Sequence, residues 1–270
     1  MLKINNLHKK FNAGTPNEVY SLKGVSLLIE EGTFCIVIGS NGSGKSTLMN
    51  AIAGVFRPDE GSIEIGGFNV GGWPEHRRAS LIGRVFQNPF SGTAPHMTVA
   101  ENLALASRRG MARGLGRLIT RKKISDFKEA VNSLGMGLEN CIDNEIGSLS
   151  GGQRQALTLL MATWLRPKIL LLDEHTAALD PKTADRVIQI TRDIVSKNRL
   201  TALMVTHSMQ QAVNLGDRLI MMHKGQIVED IRGAQKKRTM PEHLLAKFEE
   251  LRRMEQLDYG ATEMLKKNYI

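Results

Sequence analysis

The chain has 270 residues, 41% of them hydrophobic and 23% charged, and carries a net charge of +9. These figures indicate a folded protein with one large α/β domain and a sub-domain, or with two small domains. Cys35 and Cys141 form no spaced pair, so they indicate neither a disulfide framework nor a zinc site and fit a reducing cytosol. The first residues are not expected to be a secretory signal, and no apolar run approaches the roughly 18 residues of a membrane-spanning helix.

The first 38 residues predict short β segments, including Leu7–Phe11 and Val25–Ile29. Phe11 is the first aromatic residue upstream of the glycine-rich loop that follows. An aromatic ring is a common platform for the flat face of an adenine, so Phe11 is a candidate base-stacking residue. A plain core position is an equal alternative for Phe11, and Tyr20 is the competing candidate.

A glycine-rich loop follows the apolar run Cys35-Ile36-Val37-Ile38 and precedes a helical pattern. Strand, loop and helix are the context that a phosphate-binding loop requires, because the loop N–H groups and the helix dipole both favour an anion. The lysine supplies a charge for phosphates and the next hydroxyl is a candidate Mg²⁺ ligand. The candidate nucleotide-binding residues are Gly39, Ser40, Asn41, Gly42, Ser43, Gly44, Lys45, Ser46 and Thr47.

The segment Leu81–Phe86 predicts a strand, and Gln87 follows at its carboxyl end, where α/β sheets present ligand-binding residues. Residues 98–149 then lack strand signals and predict a helical insertion. A basic run within it is expected to be a solvated surface, with contact to membrane headgroups or an acidic partner as the sharper hypothesis. The run consists of Arg108, Arg109, Arg113, Arg117, Arg121, Lys122 and Lys123.

The motif Leu149-Ser150-Gly151-Gly152-Gln153 opens a clear helical pattern that Pro167 closes. Ser150 stands where an N-cap stands, and a plain serine cap is the default interpretation. The hydroxyl and the following glycine N–H groups also form a second anion site at a helix start. Since the first loop already surrounds its phosphates, this second site makes sense if it closes over the nucleotide of another copy.

The apolar run Ile169–Leu172 predicts a strand buried on both faces of a parallel sheet, and it ends in Asp173 and Glu174. Two buried carboxylates need a charge partner, and Mg²⁺ suits them. Asp173 is therefore a candidate metal ligand, while Glu174 is placed to orient or deprotonate a water. A structural ion pair explains the adjacency of the two acids less well.

The remaining signals place further polar groups after predicted elements. Asp180 precedes Pro181 as the N-cap of a helix, and His207 follows a strand over Leu200–Val205. A hairpin around Lys224-Gly225 comes next. The tail from Pro241 predicts a helix with Leu244, Leu245, Phe248, Leu251 and Met254 on one face, packed on the main domain.

The order of these motifs over residues 1–232 resembles the ATP-binding cassette ATPases of ABC transporters, with Leu149–Gln153 as the diagnostic element. The resemblance implies an α/β P-loop NTPase (RecA-like) core with a small antiparallel β sub-domain and an inserted helical sub-domain. It implies a nucleotide-binding domain over residues 1–235, with the helical sub-domain at about 90–160, and a helical tail over 236–270.

By the same likeness, two cassettes bind two ATP molecules between them, and Lys45, Ser46 and Thr47 of one copy meet Ser150 and Gly152 of the other. Phe11 stacks on adenine, Gln87 senses the metal and the attacking water, and Glu174 is the base. Asp180 signals across the interface and His207 contacts the γ-phosphate. The cofactors implied are ATP and Mg²⁺, the latter at Ser46, Gln87 and Asp173; Gly151 and Gln153 complete the nucleotide contacts.

The chain looks like the energy-coupling subunit of a bacterial importer, in a branch labelled as tryptophan or tyrosine uptake systems. The expected partners are a second copy, a separate permease and an extracytoplasmic solute-binding protein, at the cytoplasmic face of the plasma membrane and without specific nucleic acid. The charge of +9 suggests a soluble cassette acting on nucleic acid or ribosomes as the alternative, and a regulatory cassette is the third reading. One departure is His175, which stands where the family usually has proline and leaves the conformation of the Glu174 loop open.

Overall fold

The computed structural model describes residues 1–111 and 118–254, which form two β-sheets with helices around them. The strands are β1 Leu2–Phe11, β2 Val19–Ile29, β3 Phe34–Gly39, β4 Glu60–Ile65, β5 Phe68–Asn69, β6 Ile82–Val85, β7 Ile169–Asp173, β8 Ala202–Val205, β9 Arg218–His223 and β10 Gln226–Arg232. The helices are α1 Lys45–Ala53, α2 Glu75–Arg78, α3 Val99–Ala106, α4 Arg121–Asn132, α5 Gly151–Thr163, α6 Pro181–Lys197, α7 Met209–Asn214, α8 Gly233–Arg238 and α9 over 241–254.

The larger sheet has the strand order β10-β9-β3-β8-β7-β6, with parallel pairing from β9 to β6 and an antiparallel β10 at the edge. Its central strands are buried on both faces, as the unbroken apolar run before Asp173 predicts. In β7, for example, Leu170 and Leu172 face one hydrophobic core while Ile169 and Leu171 face another. The carboxyl ends of the parallel strands therefore share one edge of the sheet.

The smaller sheet is antiparallel, with the order β2-β1-β4-β5. Its inner residues, such as Leu2, Ile4 and Ile63, share a hydrophobic core with α1 and with one face of the larger sheet. The strands at the start of the chain are longer than the sequence indicates. The α/β class and the small antiparallel sheet nevertheless match the expectation.

Helices α3, α4 and α5 lie between β6 and β7, and the described part of this segment contains no strand. They pack on the face of the larger sheet opposite α1, where the Phe127 and Trp164 rings meet edge to face at 5.2 Å. The predicted helical insertion is therefore present in the structure. Thr98 begins α3 with a capping box that includes Glu101, which fixes where the first helix starts.

The basic run is only partly a solvated surface. Arg109 is half-buried and donates a hydrogen bond to the Ala162 carbonyl at 2.9 Å, and burial lowers the pKa of its guanidinium. Arg121 and Lys122, at the start of α4, are exposed as expected. Arg113 and Arg117 lie outside the described residues.

The hairpin and the tail helix occur where the sequence predicts them. In α9, Leu244 is buried, and Phe248 and Leu251 pack against the same hydrophobic core. The predicted face is too wide, because Leu245 and Met254 are 51% and 53% exposed. These two residues flank the stripe that the core covers, and residues 255–270 lie outside the described part.

Candidate nucleotide-binding site

The candidate site lies at the carboxyl edge of the larger sheet, where four neighbouring strands end. The glycine-rich loop follows β3, and His207 follows β8. Glu174 directly follows β7, and Gln87 comes two residues after β6. Because the strand order is β3-β8-β7-β6, residues far apart in the sequence form one row, in the place where open α/β sheets bind ligands.

The loop can take its shape only with glycine at particular positions. Gly42 and Gly44 have φ of 77° and 100°, in the left-handed region that other residues rarely adopt. A Cβ on Gly39 would lie 2.4 Å from the Ser43 hydroxyl and 2.5 Å from the Met222 carbonyl. The loop is thus pressed against the neighbouring strand, and a glycine-rich backbone of this shape is typical of the concave nest that binds anions.

Lys45 lies within this loop and is only 5% exposed. Its ammonium donates to the carbonyls of Gly39 at 2.9 Å and Ser40 at 3.0 Å. Burial lowers the pKa of Lys45, and the carboxylates of Glu174 and Asp173 oppose that shift. The Ser43 hydroxyl is buried and has no hydrogen-bond partner within the described residues. A polar loop with a buried cation and an unsatisfied hydroxyl suits a phosphate group.

Glu174 is held from both sides by the two other residues predicted to act with it. Its Oε1 lies 2.6 Å from His207 Nε2, and its Oε2 accepts a hydrogen bond from Gln87 Nε2 at 3.3 Å. Its backbone has φ of 45°, which is strained for a residue with a side chain. Such strain at a polar side chain is typical of functional sites. The structure therefore brings Gln87, Glu174 and His207 together.

Asp173, one residue earlier, has a different environment. Burial raises its pKa, although the Arg84 guanidinium, 3.9 Å away, opposes the shift. Arg84 also donates to Asn50 Oδ1 at 2.6 Å and stacks on the Phe86 ring at 4.6 Å. The sequence reasoning missed Arg84; an arginine inside a buried strand that leads to Gln87 was the available signal.

The donors at this edge suit a hard cation. The Asp173 carboxylate and the Ser46 hydroxyl offer oxygen atoms, and Ser46 is exposed at the start of α1. The described part of the chain contains no group of three or more His, Cys, Asp or Glu side chains suited to a metal. Mg²⁺ binds proteins through one or two side chains and takes its other ligands from phosphates and water.

Ser150 caps α5, as predicted, within a capping box. Its hydroxyl accepts from the Gln153 N–H at 3.3 Å, and its own N–H donates to Gln153 Oε1 at 3.1 Å. A Cβ on Gly152 would lie 2.1 Å from Thr183 Cγ2 in α6. Asp180 caps α6 by accepting from the Thr183 N–H at 3.1 Å. These residues therefore sit at two packed helix starts, where both a structural cap and an anion contact are possible.

Phe11 and Tyr20 have different neighbours. The Phe11 ring meets Phe56 edge to face at 5.3 Å and is half-buried. The Tyr20 hydroxyl is hydrogen-bonded to His8, and the Lys10 ammonium lies 4.8 Å from its ring. Phe11 therefore packs on a second aromatic ring, while Tyr20 lies between a histidine and a lysine.

Comparison with known proteins identifies the family. The model of the family described as ABC transporter matches residues 22–177, more than half of the chain. The chain belongs to the ABC transporter family. A tyrosine transport ATP-binding protein from Clostridioides difficile (strain R20291) is 43% identical over 92% of this chain and 99% of its own length. A phosphonates import ATP-binding protein from Ruegeria sp. (strain TM1040) is 36% identical over 85% and 88%.

Solved ABC cassettes have the same fold. A dimeric cassette in a post-hydrolysis state, bound to ADP and Pi, aligns with a TM-score of 0.73 and 29% identity over 86% of this chain and 98% of its own. A cassette in its ADP conformation aligns with a TM-score of 0.73 and 28% identity over 88% and 93%. The chain is thus an ATP-binding cassette of the ABC family, an ATPase coupled to transport. Among the described residues, none of the helices combines the length and apolar character needed to cross a bilayer.

His175 is the residue at which this cassette departs from the expected motif, and its side chain is buried against α6. It is 1% exposed, and its Nε2 lies 3.0 Å from the Thr191 hydroxyl in α6. Burial lowers the pKa of His175 to about 4, so the ring is neutral.

Gln211 connects the segments that follow β7 and β8. Its side chain accepts a hydrogen bond from the Thr206 hydroxyl at 2.7 Å and donates one to Thr176 Oγ1 at 3.4 Å. The sequence reasoning missed both Thr191 and Gln211.

Proposed function

We propose that this cassette is the ATP-hydrolysing subunit of a bacterial importer of amino acids, peripheral on the cytoplasmic face of the plasma membrane. It works as a homodimer on a separate permease that receives its solute from an extracytoplasmic binding protein. The aligned relatives that are named for phosphonate import and methionine import support the direction of transport. The tyrosine relative, which aligns over 99% of its length, favours an amino acid as the solute.

The observation that carries the proposed chemistry is the position of Glu174 between His207 and Gln87. Residues Gly39–Thr47 bind the phosphates of ATP through loop N–H groups and Lys45. Glu174 accepts the proton of the attacking water, and the groups beside it hold its carboxylate in place. His207 contacts the γ-phosphate from the same edge. Asp173, Ser46 and Gln87 would hold Mg²⁺, which would supply positive charge to neutralise the phosphates.

The second copy supplies the other half of each site. Ser150 and Gly151 are exposed at the start of α5, and Gly152 behind them is buried. The Ser150 hydroxyl and the N–H groups of the two glycines bind the γ-phosphate held by the partner loop. Asp180 lies at the start of the neighbouring helix and contacts the partner. A dimeric cassette with ADP and Pi among the aligned structures supports this arrangement.

A groove beside Gln87 is the proposed docking surface for the permease. Its volume is about 1330 Å³, and it lies between the end of β6, α3 and α5. Phe86, Leu105 and Met161 contribute apolar surface to it. Among the described residues its lining includes a single carboxylate, Glu75, and several cationic side chains, which favours a helix of the permease that carries acidic residues. The cationic residues are Arg77, Arg84, Arg108 and Arg109.

The decisive variant for the chemistry is Glu174→Gln. It removes the base while keeping the shape, so ATP turnover is expected to fall by about 100-fold or more. The variant should also accumulate as an ATP-bound dimer in size-exclusion chromatography. Glu31→Gln is the matched control. Glu31 is exposed in the turn before β3, at the end of the strand opposite to the phosphate loop. Ordinary turnover by Glu174→Gln would rule out the base assignment.

The partners are tested by isolating the tagged protein from its own cells in mild detergent and identifying the proteins that accompany it. A permease with a solute-binding lipoprotein is the expected result. Ribosomal proteins or RNA in their place would leave ATP hydrolysis intact and overturn the importer proposal.

A further inference from the structure

The side chain of His175 connects the loop that carries Glu174, directly after β7, to helix α6. His175 directly follows Glu174 and is 1% exposed, and its Nε2 lies 3.0 Å from Thr191 Oγ1. The Thr191 hydroxyl donates its only proton to the Val187 carbonyl at 2.8 Å. It can therefore only accept from His175, which fixes the proton of the imidazole on Nε2.

The backbone beside this contact is strained. Glu174 has φ of 45°, although its own N–H donates to the Val205 carbonyl at 3.1 Å and its carbonyl accepts from the Ala177 N–H at 3.0 Å. A residue with a side chain stays in this conformation only when its surroundings hold it there. On the carboxyl side of Glu174, the next side chain is the buried imidazole of His175.

We propose that His175 is a positioning residue for Glu174: its hydrogen bond to Thr191 holds the strained loop on α6, so that the Glu174 carboxylate faces His207 and Gln87. The inference rests on the proposed role of Glu174 as the base. It also gives α6 a mechanical role, because the same helix begins at Asp180, the residue proposed to contact the second copy.

Thr191→Val tests the hydrogen bond with little change in shape. It leaves the imidazole N–H buried without an acceptor, and a loop that loses its anchor is expected to lower kcat about tenfold. The KM for ATP is expected to change by less than about twofold, because no residue of the phosphate loop touches Thr191 in the described hydrogen bonds. Thr191→Ser keeps the hydroxyl and should retain the kcat of the parent.

Thr163→Val is the matched control. Thr163 is 8% exposed in α5, and its hydroxyl donates to the Leu159 carbonyl at 2.8 Å, four residues earlier, as Thr191 does to Val187. Removing this hydroxyl breaks the same kind of helix contact but leaves no histidine unpaired. Its effect on thermal unfolding should be smaller than that of Thr191→Val, which also leaves a buried N–H unpaired, and its kcat should stay at the parent value.

Amide hydrogen exchange in the nucleotide-free protein tests whether the Glu174 loop is held in place, independently of ATP hydrolysis. Thr191→Val is expected to accelerate exchange of the Ala177 N–H, which donates to the Glu174 carbonyl. The Leu48 N–H, which donates to the Gly44 carbonyl in the phosphate loop, should exchange as before. Thr163→Val should change neither amide.

The double variant His175→Leu with Thr191→Val keeps the test valid if the single variant unfolds. It replaces both buried polar partners by apolar groups, which is often neutral for stability. Its kcat should match that of Thr191→Val rather than fall further. A stable double variant with parental kcat and parental Ala177 exchange would overturn the positioning role of His175. If Glu174→Gln is also fully active, the proposed base itself fails; if Glu174→Gln is inactive, only the inference about His175 does.

Discussion

At the scale of single residues, the glycines of the Ser150 motif serve packing as well as ligand binding. Gly152 is buried, and any Cβ there would overlap Thr183 Cγ2. The close approach brings the starts of α5 and α6 together, and Asp180 and Ser150 cap those two helices. Loss of activity on substitution of Gly152 would therefore not, by itself, identify a phosphate contact.

The variant Gly152→Ala is expected to reduce the free energy of unfolding by about 1–3 kcal/mol, because the added methyl group overpacks the contact between α5 and α6. Adding Thr183→Ser removes Cγ2, the atom that the methyl group meets, and should restore most of the loss. Chemical denaturation of the two variants measures both effects. Equal destabilisation of the single and double variants would contradict this account.

At the scale of the elements, one ion-pair network joins the two sheets at β9 and β10. Asp230 accepts hydrogen bonds from Arg218 at 2.7 Å and also pairs with Arg232. Arg218 in turn donates to the Leu28 carbonyl of β2 in the smaller sheet. Burial alone would raise the pKa of Asp230, but the hydrogen bonds from Arg232 and Arg218 outweigh it and hold the pKa well below its usual range.

This network predicts a dependence of stability on pH. The pKa of Asp230 is lower in the folded state than in the unfolded chain. The carboxylate therefore contributes to the free energy of unfolding above about pH 4, and this contribution is lost as the pH falls below that value, because the unfolded chain takes up the proton first. Asp230→Asn should lower the free energy of unfolding at pH 7 by about 2 kcal/mol, and the deficit should shrink towards pH 3. Urea titrations between pH 7 and pH 3 test this. Asp143→Asn, at an exposed position, is the control, and a deficit that stays constant with pH would refute the network's role.

The elements also show what the sequence was able to predict. The strands β3, β7 and β8 are unbroken apolar runs, and Ser150 and Asp180 are recognisable caps, so these elements were found from residue types alone. The contacts of Arg84, Thr191 and Gln211 were not, because each depends on which helix or strand lies opposite. The width of the buried stripe on α9 was overestimated for the same reason, since Leu245 and Met254 have no neighbour to cover them within the described residues.

At the scale of the whole molecule, the proposed ATP site needs two chains. The phosphate loop follows β3, while the Ser150 motif begins α5 in the helical insertion. In a symmetric pair each site then combines the loop of one copy with the motif of the other. Two inactive variants, one altered in the phosphate loop and one in the Ser150 motif, should therefore complement each other in a mixed dimer.

Lys45→Ala and Ser150→Phe, each inactive alone, are expected to recover activity when mixed. In the mixed dimer one site carries both defects and the other carries none. If copies exchange freely, half of the dimers are mixed, so about a quarter of the normal sites are intact. ATPase assays across mixing ratios measure this. Two variants that stay inactive at every ratio, despite forming mixed dimers, would contradict the shared site.

The pairing of β3 has a consequence for how the protein is made. Its neighbours in the sheet are β8 and β9, which are synthesised more than 160 residues later. The sheet beside the phosphate loop is therefore incomplete until the ribosome has released the chain beyond residue 222. Pairing between such distant segments also slows folding. A nascent chain that ends before residue 222 lacks part of this sheet and is therefore not expected to compete for ATP.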